Sequence, residues 1–321
     1  MNLPQSSHYI TDSKSRQEQY DIIQNYIKKH YPNVKGTCYS GYCGRQVEEY
    51  WYDEFHNKSI DEFGVFVPIV IKYVNLFFNK GRGAYYRFVK GLWKLINKDF
   101  LYITLSSLDE GLETSKNIKV PENVLILAPG GIGHIPINLF LQDYNIVNPN
   151  PNPNYTAVFM GRFGTHPVRK EMVKIATKKL GNKFYCGQTN NKNWIEIYKN
   201  SKAVLCPRGN GRNSFRLTET LQMGLIPIYI YNDVPWVPYY DSIGWSNFGF
   251  VTRNDGLEKV LDKIDKMNQS DLESMRKRIR EMYYTHFTVN GTMKQIQNFL
   301  KYGFDGTDLK CAARTYKKDI L

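Results

Sequence analysis

Leu205–Asp233 reads LCPRGNGRNSFRLTETLQMGLIPIYIYND. A short apolar run stops at Pro207, and Arg208, Arg212 and Arg216 then crowd around Gly209 and Gly211 before a helical pattern opens. The pattern predicts a strand at Ala203–Cys206, a loop at Pro207–Asn213, and a helix at Ser214–Met223 ended by Gly224. Another strand follows at Ile226–Tyr231. A strand, a short loop and a helix in that order build a parallel sheet, whose ligands gather beyond the carboxyl ends of its strands. Helix-start amides and guanidinium groups at such a place suit an anion, and the two glycines let the backbone approach it. The loop is neither a Walker loop, since no G-K-[ST] follows, nor G-x-G-x-x-G, since position 214 is serine. An ordinary strand-to-helix turn with exposed arginines is the plainer alternative.

Glu219 lies five residues beyond Ser214, about 7.5 Å at roughly 1.5 Å per residue, near the step from a diphosphate to its ribose. A capping box does not explain it, because the residue three after Ser214 is Leu217. An i,i+3 ion pair with Arg216 remains open.

The rhythm extends outward. Thr156–Met160 and Lys183–Cys186 read as strands, and Pro167–Leu180 and Asn193–Ser201 as helices. Phe248–Thr252 reads as a strand, followed by amphipathic helices near Gly256–Met267 and Ser270–His286. The first half is less regular. Helices are expected at Asp21–His30 and Tyr85–Ile96, with a strand inside Phe63–Phe78 and another at Val124–Ala128, which runs into PGGIGHIP. Prolines in NPNPNPN, Asn148–Asn154, predict an extended strap, placed here as the domain boundary. The expected organisation is residues 1–150, residues 151–304 with room for the last helix to pack back on the first domain, and a tail over 305–321.

With 321 residues, 42% of them hydrophobic, the chain can fill two cores. Its longest apolar block, Val65–Ile71, is far short of a membrane span. The N-terminus lacks the basic and apolar regions of a secretory signal, so a soluble, cytoplasmic chain is expected, in host cytoplasm if viral. Five cysteines without a C-x-x-C pair and six histidines without zinc spacing suggest no structural metal. The net charge of +13 favours an anionic partner or a solvated basic surface, densest at Met275–Arg280.

Tyr185–Val251, above all CPRGNGRNSFRLTETLQMGLIPIYIYNDVPWVP, resembles the core signature of the exostosin family, the family 47 glycosyltransferases. VFMGRFGTHPVRKEM at Val158–Met172 is similar to that family's glycine-arginine strand end and basic helix, and VEEYWYDEF with FGVFVP is a looser echo in the first half. The resemblance implies an α/β chain of GT-B type: two Rossmann-like domains facing across a cleft. It implies a soluble, free-standing form of viral or microbial kind, without the membrane anchor usual in animal and plant members. It implies an enzyme that transfers a hexose or pentose with inversion and without a metal, from a nucleotide diphosphate sugar, in UDP form, to a glycan or glycoprotein hydroxyl. No cofactor is expected, since the nucleotide sugar is a co-substrate, and no D-x-D occurs.

On this reading Arg162, Arg208, Gly209, Gly211, Arg212, Asn213 and Ser214 bind the donor diphosphate, Glu219 its ribose, and Asn232 and Asp233 its sugar. An inverting transfer needs a base, for which His134, Glu48 and Asp53 are candidates, with Glu49 and Glu54 beside them. Tyr39, Tyr42, Trp51 and Tyr52 are candidates for stacking on an acceptor glycan or for core. Trp236 and Trp245 are expected in the core. The rival readings are a degenerate transferase serving as scaffold and a basic nucleic-acid-binding module, though no RNA-recognition or helix-turn-helix pattern is present and no nucleic acid is expected.

Overall fold

The computed structural model describes residues 9–31, 44–112, 118–140, 142–188 and 193–312. Tyr39 and Tyr42 lie outside them. The chain divides into two compact units, Met1–Ile137 with Met293–Leu321, and Asn138–Thr292.

The first unit begins with α1 (Ser13–His30), whose cap Asp12 accepts the Ser15 N–H at 2.9 Å. Then come α2 (Val47–Phe55), β1 (Phe66–Ile69), α3 (Tyr73–Trp93), β2 (Leu101–Leu105), β3 (Val124–Ala128) and β4 (Ile135–Pro136). The four strands pair in parallel in the order β1-β2-β3-β4, and β1, β2 and β3 are buried along their full length. Continuous apolar runs such as LYITL and VLILA are what a sheet covered on both faces demands. Helix α3 is broken at Gly81, where φ of 76° suits a residue without a side chain. It starts twelve residues before the helix expected at Tyr85–Ile96, because aromatic and aliphatic residues bury its first turn.

The second unit carries β5 (Tyr155–Met160), α4 (Pro167–Leu180), β6 (Phe184–Gly187), α5 (Trp194–Lys199), β7 (Ser201–Pro207), α6 (Phe215–Gln222), β8 (Ile226–Ile230) and β9 (Phe250–Thr252). Helices α7 (Asn254–Asp265), α8 (Gln269–Met282) and α9 (Val289–Tyr302) follow, and the chain passes back to the first unit within α9. The five strands are parallel in the order β6-β5-β7-β8-β9. Register pairs Val158 with Val204 and Pro207 with Ile230. From β5 the chain goes first to one side, β6, and then to the other, β7, so the strand order reverses at β5–β7. That reversal opens the crevice in which doubly wound sheets hold ligands.

Three expectations are corrected. The proline-rich strap is part of the second unit: the Asn150 N–H donates to the Lys199 carbonyl at 2.9 Å and the Asn154 N–H to Asn200 Oδ1 at 3.1 Å. The unit instead begins at Asn138, whose buried amide donates to the His286 carbonyl at 2.6 Å and Thr292 Oγ1 at 2.8 Å. Of the expected tail, the described part packs on the first unit: Leu309 is buried and the Ala312 N–H donates to the His134 carbonyl at 2.9 Å. In the basic run Met275–Arg280, Arg276 is fully buried and donates to the Ser201 carbonyl at 3.2 Å. Among the described residues no helix is long and apolar enough to cross a membrane.

Candidate functional site

At the reversal, β7 ends at Pro207 and the chain makes one tight loop before α6. The Gly209 N–H donates to the Asn213 carbonyl at 2.9 Å, and a Cβ on Gly209 would come within 3.2 Å of that oxygen. Gly209 is therefore small for the loop's own closure, a use the glycine pattern alone did not distinguish from close approach to a ligand. Asn213 is buried and accepts the Ser214 N–H at 2.7 Å. Ser214 has the extended backbone of a cap, but its side chain makes no cap bond.

The loop's arginines are fixed by one carboxylate. Asp233, beyond the end of β8, accepts from Arg208 Nη1 at 3.1 Å through one oxygen and from Arg212 Nε at 3.0 Å through the other. Arg208 Nη1 also donates to Asn232 Oδ1 at 2.7 Å, while its Nε reaches the Gly211 carbonyl at 3.2 Å. Burial works against the Asp233 charge, yet the Val234 N–H and the two guanidinium groups hold its carboxyl below the usual range. Two cations on one anion leave a local excess of one positive charge. Arg212 is only 1% exposed, its guanidinium 5.9 Å from the Trp236 ring, and its carbonyl accepts the Tyr229 hydroxyl. Asn232 and Asp233, expected to line a sugar pocket, are thus the groups that aim Arg208 and Arg212. Register explains why sequence showed the parts and not the pairing: Pro207 stands beside Ile230, so residues two dozen positions apart meet.

Arg162 follows β5 and is exposed. Its carbonyl, with those of Pro207 and Arg208, is gripped by buried Arg169 of α4, at 3.0, 3.4 and 2.9 Å. Arg169 ties the ends of β5 and β7 together by occupying three carbonyls with one guanidinium. Sequence reasoning missed it; its signal was the arginine two residues after the helix-starting Pro167, on the inward face. Arg169→Ala is expected to cost about 2–4 kcal/mol, because charged hydrogen bonds and a buried stem are lost together. Chemical denaturation measures this, and a loss below ~1 kcal/mol would mean that the clamp is dispensable.

Glu219 is buried and paired with Arg216, so the i,i+3 alternative is realised. Burial raises its pKa and Arg216 partly restores it. Arg216 in turn lies 5.1 Å from the Trp194 ring. Cys206, in the same motif, is a buried thiol pushed up to about 12 by desolvation, which makes it core and no nucleophile. Trp236 and Trp245 are buried, as expected of core residues.

In the first unit, His134 Nδ1 accepts the Ile126 N–H at 2.9 Å, and the His134 N–H donates to the Ile126 carbonyl at 2.9 Å. Burial pushes its pKa down to about 4. With the buried Nδ1 lone pair engaged, the ring holds the turn between β3 and β4 and is not poised as a base. Glu48 is 1% exposed, and its two oxygens accept the Val74 N–H at 2.7 Å and the Ser107 N–H at 2.6 Å. It braces the start of α3 against the end of β2. Asp53 is exposed and pairs with Arg45. Glu49 accepts from Asn75 Nδ2 at 2.7 Å, and Glu54 pairs with Lys58 at 3.5 Å. Trp51 is fully buried against Phe55, which settles it as core, while Tyr52 is half-buried and stacked on His56. Among the described residues no three His, Cys, Asp or Glu side chains are grouped to hold a metal ion.

No protein-family model matches the chain. The Exostosin-1 homolog of Caenorhabditis elegans is 27% identical over 89 residues, 27% of this chain and 23% of that protein. The matched stretch is therefore less than a quarter of the relative's length. Among solved structures, TarM is 11% identical with a TM-score of 0.37, over 63% of this chain and 51% of that one. An S. aureus TarM mutant in complex with Fondaparinux, alpha-GlcNAc-glycerol and UDP is 11% identical with a TM-score of 0.39, over 69% and 48% of the two chains. The spinosyn rhamnosyltransferase SpnG, with spinosyn aglycone, is 11% identical with a TM-score of 0.31, over 89% and 83%. Scores this low carry no argument about the fold, which rests on the chain's own sheets.

Proposed function

We propose that the chain is a glycosyltransferase that moves a sugar, with inversion, from a nucleotide diphosphate sugar to a glycan hydroxyl. The observation that carries the proposal is the Arg208–Asp233–Arg212 cluster at the reversal of a parallel sheet, beside the start of α6. A short sequence match to an exostosin homologue supports the same chemistry. The UDP form of the donor, transfer without a metal, and the facing of two domains across a cleft are parts of this proposal taken from the resemblance.

The leaving diphosphate would gain charge as its bond to the sugar breaks. Preorganised cations and helix-start amides lower that barrier without reorganising. Asp233 holds Arg208 and Arg212 in place beforehand, Arg162 stands exposed at the neighbouring strand end, and Asn213 and Ser214 lead the chain into α6. Glu219 would turn an oxygen to the ribose while keeping Arg216 on the other. Of the three base candidates, Asp53 alone has a solvent-facing carboxylate and stays in the proposal.

Binding of UDP or a UDP-sugar at 100 times its Kd should stabilise the fold by about 2.7 kcal/mol and raise the melting temperature by several degrees. A thermal-shift series over uridine and guanosine diphosphate sugars tests this. A flat response to all of them would favour the scaffold reading, and a response to oligonucleotides that collapses with salt would favour the nucleic-acid one.

A further inference from the structure

Trp194 is the first residue of α5, the helix that follows β6, so it stands toward the carboxyl end of the strands, the end at which β7 runs into the loop before α6. It is half-buried, and two tyrosines meet it at steep angles. The fully buried Tyr198 ring, one turn further along α5, lies 5.2 Å away at 84°, and the Tyr144 ring lies 5.7 Å away at 81°. Among the described residues no aromatic ring lies parallel to the indole. A large aromatic surface is thus fixed in one orientation while part of it stays in water.

One guanidinium ties this ring to the donor site. Arg216 Cζ lies over the Trp194 ring, 5.1 Å from its centroid, and Nη1 of the same guanidinium is paired with Glu219 Oε2. Trp194 and the Glu219 carboxylate are therefore neighbours of a single rigid, planar group. On the reading above, Glu219 accepts the ribose hydroxyls. In a nucleotide those hydroxyls lie between two substituents, the base on one side of the ribose and the diphosphate on the other. The sheet offers the same two sides. Asp233, which fixes Arg208 and Arg212, follows β8 on one flank of β7, whereas α5 packs over β7 and β5 on the other flank. With the diphosphate on the arginines and the ribose on Glu219, the base is directed toward Trp194.

We propose that Trp194 is the platform on which the donor's nucleobase stacks, with Arg216 linking it to the carboxylate that holds the ribose. The inference deepens the donor-site reading and rests on it. Every base has a π-face, so such a platform adds affinity for a nucleotide over a bare diphosphate without choosing among bases. Because Tyr144 and Tyr198 fix the indole beforehand, little side-chain freedom is lost when the base arrives.

Calorimetric titration of UDP and of inorganic pyrophosphate into wild type, Trp194→Ala and Trp194→Phe tests it. Trp194→Ala should weaken UDP by about fivefold or more while leaving pyrophosphate unchanged, and Trp194→Phe should keep UDP within about threefold of wild type. UDP should quench wild-type tryptophan fluorescence where pyrophosphate does not, and Trp194→Phe should lose most of that quench. If Trp194→Ala fails to fold, the quench decides: its persistence in Trp194→Phe would overturn the platform. Equal weakening of UDP and pyrophosphate by Trp194→Ala, or no change in either, would overturn it too, while leaving the diphosphate site standing. A wild-type chain that binds neither ligand would overturn the donor site and the platform with it.

Discussion

Arg212→Ala is expected to weaken UDP binding at least ~30-fold, the consequence of losing about 2 kcal/mol or more when a buried, hydrogen-bonded charge is truncated. Arg212 is nearly inaccessible, its Nε is committed to Asp233 at 3.0 Å, and Trp236 faces its guanidinium. A cation so enclosed needs little ordering when a diphosphate arrives, and that preorganisation is what the variant removes. It also leaves Asp233 with Arg208 as its single guanidinium partner within the cluster. Arg212→Lys should recover part of the loss, since a point charge replaces the planar fork. Titration calorimetry on variants that retain the wild-type circular dichroism spectrum is the measurement. An Arg212→Ala affinity within about threefold of wild type would remove the cluster from the donor site.

Glu48→Ala should destabilise the first unit by about 3–5 kcal/mol, since two buried amide donors lose their acceptor at ~1–3 kcal/mol each and a cavity is added. The carboxyl is pushed up to about 8, chiefly by desolvation and despite the Ser107 and Val74 N–H groups. Its folded pKa therefore lies above the ordinary value of 4.5. Between those two values the native state binds the extra proton, so its contribution is complete below pH 4.5 and is lost as pH rises through about 8. Denaturation midpoints should fall over that window in wild type. Glu48→Gln, which stays neutral, should show a flatter dependence while being less stable at low pH, because its amide can accept from only one of the two donors. A wild-type profile that rises from pH 5 to 8 through this residue would contradict the brace as described. The same geometry keeps Glu48 from serving as a base, whatever its proton affinity.

What could be read in the sequence was whatever depends on local pattern. The fully apolar strands, Pro167 at the start of α4 and Gly224 after α6 placed most of the second unit's elements within a few residues, because burial on both faces leaves a continuous signal. The loop at 207–213 was legible for the same reason, as a strand end and a helix start in sequence. In the first unit the signal thinned: α2 buries Glu48 with Trp51, a burial that the run of carboxylates in VEEYWYDEF did not reveal, so Glu48 and Asp53 read alike as candidate bases. The strap is legible as extended, but its place as a domain boundary is not, since extended prolines say nothing about which carbonyls the neighbouring asparagines find.

The sequence by itself determined two α/β halves, the basic loop between β7 and α6, and the residue types gathered there, because propensity and periodicity act over a few residues at a time. Only the tertiary structure decided the pairings: Asp233 across both arginines, Arg169 on the Arg162, Pro207 and Arg208 carbonyls, and Glu48 on the Val74 and Ser107 amides. Each pairing joins side chains brought together by strand register or by burial, and the energy of a buried charge or ring depends on what surrounds it in space rather than on what precedes it in the chain.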